Sequence, residues 1–247
     1  MRIQLLDNRR LTGPNLFWDK PGAVLDVAVE GVQPEQLISA WREEVGQLMA
    51  AMGWCVDDIG TRIFKGGVSL VISAPIDVLY TACELNEAAL YRATAQLAGE
   101  PLPNPGDAIT ALVAQMTEEQ NPALLAMQRA AQDHHVPFLW DDDEVSVGFG
   151  NSAIVWQTSS VPAPESVYWQ QTSSIPLGIV TGTNGKSTTV RLAASILAAA
   201  GLRAGITSTD YIRVGDEILD HGDYSGPGGA RTLLRHPKSE AVVLEVA

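Results

Sequence analysis

Apolar residues recur with helical and strand-like spacing along the first part of the chain. Between Pro34 and Gly53 they repeat every three or four residues, which predicts one helix that the glycine ends. Runs rich in β-branched residues at 24–29 and 68–72 predict buried strands. The same criteria predict a strand at 145–149 and helices at 75–97 and 121–132. We therefore expect a small N-terminal α/β domain over residues 1–156.

The pattern changes at a segment rich in Ser, Thr and Pro. Residues 157–176 show neither helical nor alternating apolar spacing, which is typical of a linker. A short apolar run at 177–181 follows, then a glycine-containing loop, then a helix that begins at Lys186 and ends before Gly201. This order predicts that residues 177–247 form the start of a second α/β domain, one with a parallel sheet.

The loop between that strand and helix has the composition that phosphate binding requires. Its residues are Gly182, Thr183, Asn184, Gly185, Lys186, Ser187 and Thr188. Glycines let backbone N–H groups approach phosphate oxygens, and the helix N-terminus adds partial positive charge. Lys186 supplies a full charge to the β- and γ-phosphates, and the hydroxyl of Ser187 or Thr188 can bind Mg²⁺. The sequence therefore predicts a P-loop in which Lys186 is catalytic; the alternative is a chance turn with a surface lysine.

The loop is shorter than the general P-loop. Val180 stands where the general pattern has its first glycine, five residues before the second. The shortened form resembles the ATP loop of the Mur ligase family, which includes the peptidoglycan precursor ligases, folylpolyglutamate synthase and cyanophycin synthetase. The resemblance implies ATP and Mg²⁺ as cofactors, and an amide bond formed between a carboxylate and an amine through an acyl phosphate.

Three later segments are similar to the cyanophycin synthetase branch of that family. They are residues 206–210, 222–227 and 242–245. The resemblance implies that Glu245 helps to hold Mg²⁺ together with Ser187. A carboxylate at the carboxyl end of a parallel strand beside the P-loop strand lies where such sheets bind ligands. Substrate contacts are implied for Thr207, Thr209, Asp223 and Ser225. The alternatives are an ordinary place in a strand for the two threonines, a plain glycine–proline turn for the loop at 223–227 and an ordinary polar strand end for Glu245.

The N-terminal part resembles the same branch through residues 10–15 and 147–150. Cyanophycin synthetases carry an ATP-grasp domain between this N-terminal domain and the Mur part, whereas here residues 157–176 alone join the two. The substrate therefore cannot be inferred from the resemblance, and we do not expect polymer synthesis by two alternating ligations. Because the chain ends at Ala247, directly after the strand with Glu245, we expect an incomplete catalytic domain that has little ligase activity on its own.

Charge and composition limit the classes of partner that the protein is expected to bind. The formal net charge is −13, and residues 1–176 hold 22 acidic against 9 basic residues, so nucleic acid is a poor partner. The acidic run at 141–144 predicts a solvent-exposed turn. Without an apolar run long enough to span a bilayer or a recognisable signal peptide, the sequence predicts a cytoplasmic protein that does not enter the membrane. Cys55 and Cys83 are expected to be reduced thiols that are buried or half-buried.

Three functions stay open from the sequence. The first is an ATP-dependent carboxylate–amine ligase of the Mur type that acts on an amino acid or a peptide. The second is a P-loop ATPase that hydrolyses ATP without an acceptor. The third is a binding module whose acidic N-terminal domain recognises a cationic partner. The sequence identifies neither the two substrates nor whether the chain forms a homo-oligomer.

Overall fold

The computed structural model describes residues 1–54, 58–102 and 104–246 and has the mixed α/β character expected from the sequence. The chain divides into two compact units, Met1–Leu125 and Ala126–Ala247. The boundaries at 156 and 176 that the sequence suggests stay a prediction. Cys83 is buried and forms no disulfide, and burial raises the pKa of its thiol to about 11, while Cys55 lies outside the described residues.

The first unit is built on an antiparallel sheet. Its elements are β1 (Arg2–Leu11), β2 (Gly22–Glu30), α1 (Pro34–Met52), β3 (Ile59–Phe64), β4 (Gly67–Ser73), α2 (Leu79–Ala98) and α3 (Pro105–Glu119). The strand order is β1-β2-β4-β3, and each neighbouring pair is antiparallel. Helices α1 and α2 pack on each other, and α2 packs on β1 and β2. The predicted helices at 34–52 and 75–97 are thus present, the second beginning four residues late.

Buried polar side chains join the helices of the first unit to its sheet. Trp41 donates from Nε1 to Oδ1 of Asn86 at 2.8 Å, and Asn86 donates to the carbonyl of Leu70 at 3.1 Å. Glu44 and Arg92 form a buried ion pair between α1 and α2. Each of these groups has a partner, so burying them avoids the large cost of leaving a polar group unsatisfied.

The second unit contains two sheets. The chain divides within α4 (Pro122–Asp133), and β5 (Phe138–Trp140), β6 (Glu144–Val147) and β7 (Ile154–Gln157) then form an antiparallel sheet. The remaining elements are β8 (Leu177–Val180), α5 (Lys186–Ala199), β9 (Ala204–Thr207), β10 (Tyr211–Val214), β11 (Glu217–His221), α6 (Pro227–Arg235) and β12 (Ala241–Glu245). The segment predicted as a linker contributes buried side chains to this unit, namely Val167, Thr172 and Ile175.

The larger sheet brings together strands that are far apart in the chain. Its order is β11-β10-β9-β12-β8, so β12 lies between β9 and β8 and is parallel to both. Helix α5 packs on these three strands, and α6 packs on β9 and β12. In the register of β12 with β8, Glu245 is paired with Val180, the last residue of the strand before the loop. The prediction that Glu245 lies on a parallel strand beside β8 is confirmed.

An arginine joins α6 to the small sheet of the same unit. Arg235 donates to the carboxylates of Asp141 and Glu144, to the carbonyl of Glu144 at 2.9 Å and to Ser146 Oγ at 3.3 Å. The acidic run at 141–144 was predicted to be a solvent-exposed turn. That prediction is wrong for Asp141, which is half-buried because the arginine offsets the cost of burying its carboxylate, and for Glu144, which is half-buried and begins β6.

Candidate functional site

The loop that follows β8 has the backbone geometry of a turn into a helix. Gly182 and Gly185 have positive φ angles of 140° and 79°, a region that residues with a Cβ rarely occupy. Helix α5 begins at Lys186, and no side chain caps its N-terminus. The first backbone N–H groups of a helix have no acceptor within the helix, so those at the start of α5 can donate to a ligand bound at the loop.

The side chains of the loop differ in their surroundings. Lys186 is half-buried and donates from Nζ to the carbonyl of Gly182 at 3.0 Å, which folds its ammonium group back over the loop. Thr183, Asn184 and Thr188 are exposed, and no side-chain hydrogen bond to another described residue is found for them. The loop therefore presents its lysine and its backbone, rather than a set of ordered side chains, to solvent.

The hydroxyl of Ser187 contacts a buried carboxyl group. Ser187 Oγ donates to Oε1 of Glu245 at 3.1 Å, and Glu245 is only 2% exposed. The backbone N–H of Glu245 donates to Oγ1 of Thr207 at 2.9 Å, and Thr207 is likewise buried. The ladder between β9 and β12 ends at Ile206 and Val243, so the threonine hydroxyl replaces a backbone acceptor and fixes the end of β12.

The second carboxyl oxygen of Glu245 has no partner. Oε2 is enclosed and has no hydrogen-bond partner in the part of the chain that the structure describes. An enclosed carboxyl oxygen without a partner is costly, and a cation beside it removes that cost. Mg²⁺ is bound by one or two protein oxygens and completes its six ligands with water or phosphate oxygens. Glu245 and Ser187 fit this requirement.

This is not a site in which the protein alone encloses a metal. Among the described residues, no group of three or more His, Cys, Asp or Glu side chains can hold a metal ion. The Ser187–Glu245 pair is an open arrangement instead, of the kind in which a bound ligand supplies the remaining oxygens.

The loop before α6 lies against the turn that follows β9. Tyr224 N–H donates to the carbonyl of Ser208, and Asp223 Oδ1 accepts from the backbone N–H and the hydroxyl of Ser225 at 3.0 and 2.7 Å. These hydrogen bonds from Ser225, together with the charge of Lys186, lower the pKa of Asp223. These effects favour the ionised form of the Asp223 carboxylate.

The structure brings most of the residues singled out in the sequence to one end of the sheet, with two differences. Thr209 is exposed, and no hydrogen bond to another described residue involves its side chain. Thr207, for which a substrate contact was expected, is buried and holds the backbone of Glu245. The turn residue Ser208, whose Oγ accepts from Asp210 and Tyr211, was not recognised in the sequence, because its role depends on this local hydrogen bonding.

The site has the arrangement typical of α/β proteins that bind ligands at the carboxyl ends of their strands. It consists of a strand, a glycine loop and a helix, with a carboxylate on the neighbouring parallel strand.

The chain is similar to cyanophycin synthetases. It is 51% identical over 75 residues to that of Geminocystis herdmanii (strain PCC 6308), 48% over 75 residues to that of Synechocystis sp. (strain ATCC 27184 / PCC 6803 / Kazusa), and 45% over 78 residues to that of Trichormus variabilis (strain ATCC 29413 / PCC 7937).

The similarity is partial. The matched residues make up 30% to 32% of this chain and 9% of each of the three relatives. No family model matches the chain. Within the described residues, no helix has both the length and the apolar character needed to cross a bilayer.

Proposed function

We propose that this chain carries the nucleotide site of an ATP-dependent carboxylate–amine ligase of the Mur type, with an amino acid or a peptide as substrate. The observation that carries the proposal is the buried carboxyl group of Glu245 beside the loop of Lys186. One of its oxygens accepts from Ser187, and the other has no hydrogen-bond partner among the described residues. The similarity to cyanophycin synthetases supports the same proposal. We also propose the domain division at residues 1–156, 157–176 and 177–247, within a cytoplasmic enzyme.

Each part of the site has a role in this proposal. The backbone N–H groups of residues 182–188 hold the terminal phosphates of ATP, and the Lys186 ammonium leaves the Gly182 carbonyl to neutralise charge on the transferred group. Ser187 and Glu245 hold Mg²⁺, which neutralises phosphate charge when it is bound. The product of phosphate transfer is an acyl phosphate on the carboxylate substrate, which an amine then attacks with release of phosphate.

The remaining residues position these groups. Thr207 fixes the backbone of Glu245 and thereby keeps the carboxyl group against Ser187. Asp223 and Ser225 lie in the loop before α6, and hydrogen bonds from Ser225, together with the charge of Lys186, lower the pKa of Asp223. In our proposal this loop faces the amine substrate, whose ammonium form Asp223 attracts.

Nucleotide binding tests the proposal directly. Isothermal titration calorimetry with Mg²⁺ and a non-hydrolysable ATP analogue should detect one site in the unaltered chain. Lys186→Ala should weaken binding at least about tenfold, because an ion pair to phosphate is lost. The matched control is Lys65→Ala, an exposed lysine in the turn between β3 and β4, which should bind like the unaltered chain. Equal binding by both variants would contradict the site.

The metal role is tested separately. Glu245→Gln keeps the shape of the side chain but removes its charge, so the analogue should still bind while the gain in affinity from added Mg²⁺ falls at least about tenfold. Retention of the full Mg²⁺ effect would remove Glu245 from the metal site.

A ligase is distinguished from a P-loop ATPase by its need for an acceptor. If the protein is a ligase, ADP release should require two substrates together: a carboxylate substrate, and an amino acid or a dipeptide. ADP release that is equally fast without either substrate would identify an ATPase and overturn the ligase proposal.

A further inference from the structure

A second cleft lies at the other end of α5 from the loop. It has a volume of about 430 Å³ and lies between the C-terminal half of α5 and the strands β9 and β10. Small residues leave this space open, namely Ala194, Ser195, Ala198, Gly201 and Gly215. Two arginines, Arg203 and Arg213, also line it, together with the acidic residues Asp216 and Glu240.

The two guanidinium groups have no carboxylate partner. Neither Arg203 nor Arg213 takes part in an ion pair within 4.0 Å among the described residues. The Nε of Arg213 is enclosed and has no acceptor among the residues that the structure describes. The Cζ of Arg213 lies 5.9 Å from the ring centroid of Tyr211. An arginine that lines a cleft and makes no ion pair there is a ready partner for a carboxylate or phosphate.

The other charges of the cleft select among anions. Glu240 accepts a hydrogen bond from the backbone N–H of Arg203, which holds its carboxylate at the rim, and Asp216 is exposed there. The carbonyl end of α5 adds partial negative charge. These groups repel a dianion and attract an ammonium group, whereas the two arginines attract a carboxylate. A small zwitterion meets both requirements.

This cleft is distinct from the loop site. The helix between them has 14 residues and is therefore about 20 Å long, since an α-helix rises about 1.5 Å per residue. A nucleotide whose phosphates lie at Lys186 does not bring those phosphates to Arg213.

We propose that this cleft binds a small zwitterionic α-amino acid, with its carboxylate on Arg203 and Arg213 and its ammonium group towards Asp216. The site does not depend on nucleotide binding at the loop, so it can be tested in the Lys186→Ala chain.

The test follows the arginine side chains in solution. The ¹⁵N-labelled Lys186→Ala chain is titrated in turn with L-alanine, acetate and inorganic phosphate while the Nε–Hε signals are recorded by NMR. The Arg213 signal is assigned by its absence in Arg213→Gln. L-alanine should shift this signal saturably, acetate should bind at least about tenfold more weakly, and phosphate should not bind more tightly than acetate.

Variants separate the site from general charge effects. Arg203→Gln should weaken the binding of L-alanine at least about tenfold, and Arg213→Lys should do so while retaining the charge and the fold, because an ammonium group cannot make two parallel hydrogen bonds to a carboxylate. Arg42→Gln removes an exposed charge from α1 and should change nothing. The proposal is overturned if phosphate binds more tightly than L-alanine, if no probe gives a saturable shift, or if Arg203→Gln binds normally.

Discussion

At the scale of single residues, a hydrogen bond between Glu245 and Thr207 satisfies polar groups that are buried. The carboxyl group of Glu245 is almost fully enclosed, and its backbone N–H relies on the hydroxyl of Thr207 rather than on a neighbouring carbonyl. A buried N–H without an acceptor is costly, so the hydroxyl at position 207 is needed even where no ligand is bound.

Thr207→Val should therefore destabilise the protein. Valine has the same shape but no acceptor, so the N–H of Glu245 is left unsatisfied and the free energy of unfolding should fall by about 1–3 kcal/mol. Thr207→Ser keeps the hydroxyl and should lose less than half as much. Urea unfolding of both variants, followed by circular dichroism, measures the difference; equal losses would show that the methyl group, not the hydroxyl, is what matters.

Gly150 is required by a close approach of two backbone segments. Its φ is +59°, and a Cβ built there would lie 2.2 Å from the carbonyl oxygen of Ser239. Gly150→Ala should lower the free energy of unfolding by more than about 1 kcal/mol, because both the backbone conformation and the contact disfavour a methyl group. In Gly178→Ala the new Cβ would meet only Val243 Cγ1 at an ordinary 3.8 Å, so a much smaller loss is expected in thermal unfolding. The prediction fails if the two variants unfold alike.

At the scale of elements, α6 is fastened to the small sheet of the second unit by Arg235. Its side chain is 9% exposed, and its guanidinium contacts two carboxylates, a carbonyl and a hydroxyl of residues 141–146. Burial raises the pKa of Asp141, but hydrogen bonds from Glu144 N–H and Arg235 outweigh this and hold the pKa below its ordinary 3.8. The ionised carboxylate is thus more stable in the folded state than in the unfolded chain.

Replacing Arg235 should show how far the stability of the protein depends on the ionisation of Asp141. A carboxyl group with a depressed folded pKa stabilises the protein above its unfolded pKa and ceases to do so as the pH falls through the folded value. The unaltered protein should therefore lose stability on acidification below about pH 4. Arg235→Gln should lower the free energy of unfolding by about 2 kcal/mol or more near neutral pH and flatten that acid-dependent loss.

The control for Arg235 is an exposed pair in the same unit. Lys238 binds Glu217, and both side chains are about half exposed, so Lys238→Gln should cost less than about 1 kcal/mol. Urea unfolding across the acid range compares the two variants. A similar loss from each would show that Arg235 acts only as a surface charge.

The elements differ in how well the sequence predicts them. Helices α1 and α2 follow from apolar spacing and a glycine after their last turn. Strand β1 carries four charged side chains in ten residues, so no alternation marks it, and only pairing with β2 makes it a strand. Helix α3 was not predicted, because it begins with Pro and Gly, which are more typical of turns than of helices. Strands β10 and β11 were not predicted either, because each is only four or five residues long.

At the scale of the whole molecule, charge sets the choice of partner. The net charge of −13 repels a polyanion, and counterion release requires clusters of Lys and Arg. The chain should therefore not bind duplex DNA in fluorescence anisotropy at about 150 mM salt, a concentration that screens charges beyond roughly 8 Å. Salt-sensitive binding in the micromolar range would contradict this and would indicate a local basic surface.

The sequence by itself determined the local parts of the candidate site. Two glycines, a lysine and a serine between an apolar run and a helical pattern suffice for the loop at 182–188, because turn geometry and helix start depend on neighbouring residues. Only the tertiary structure decided what surrounds it. Ser187 and Glu245 are 58 residues apart, and they meet because β12 inserts between β9 and β8. Strand order is fixed by packing over the whole unit, so no local pattern contains it.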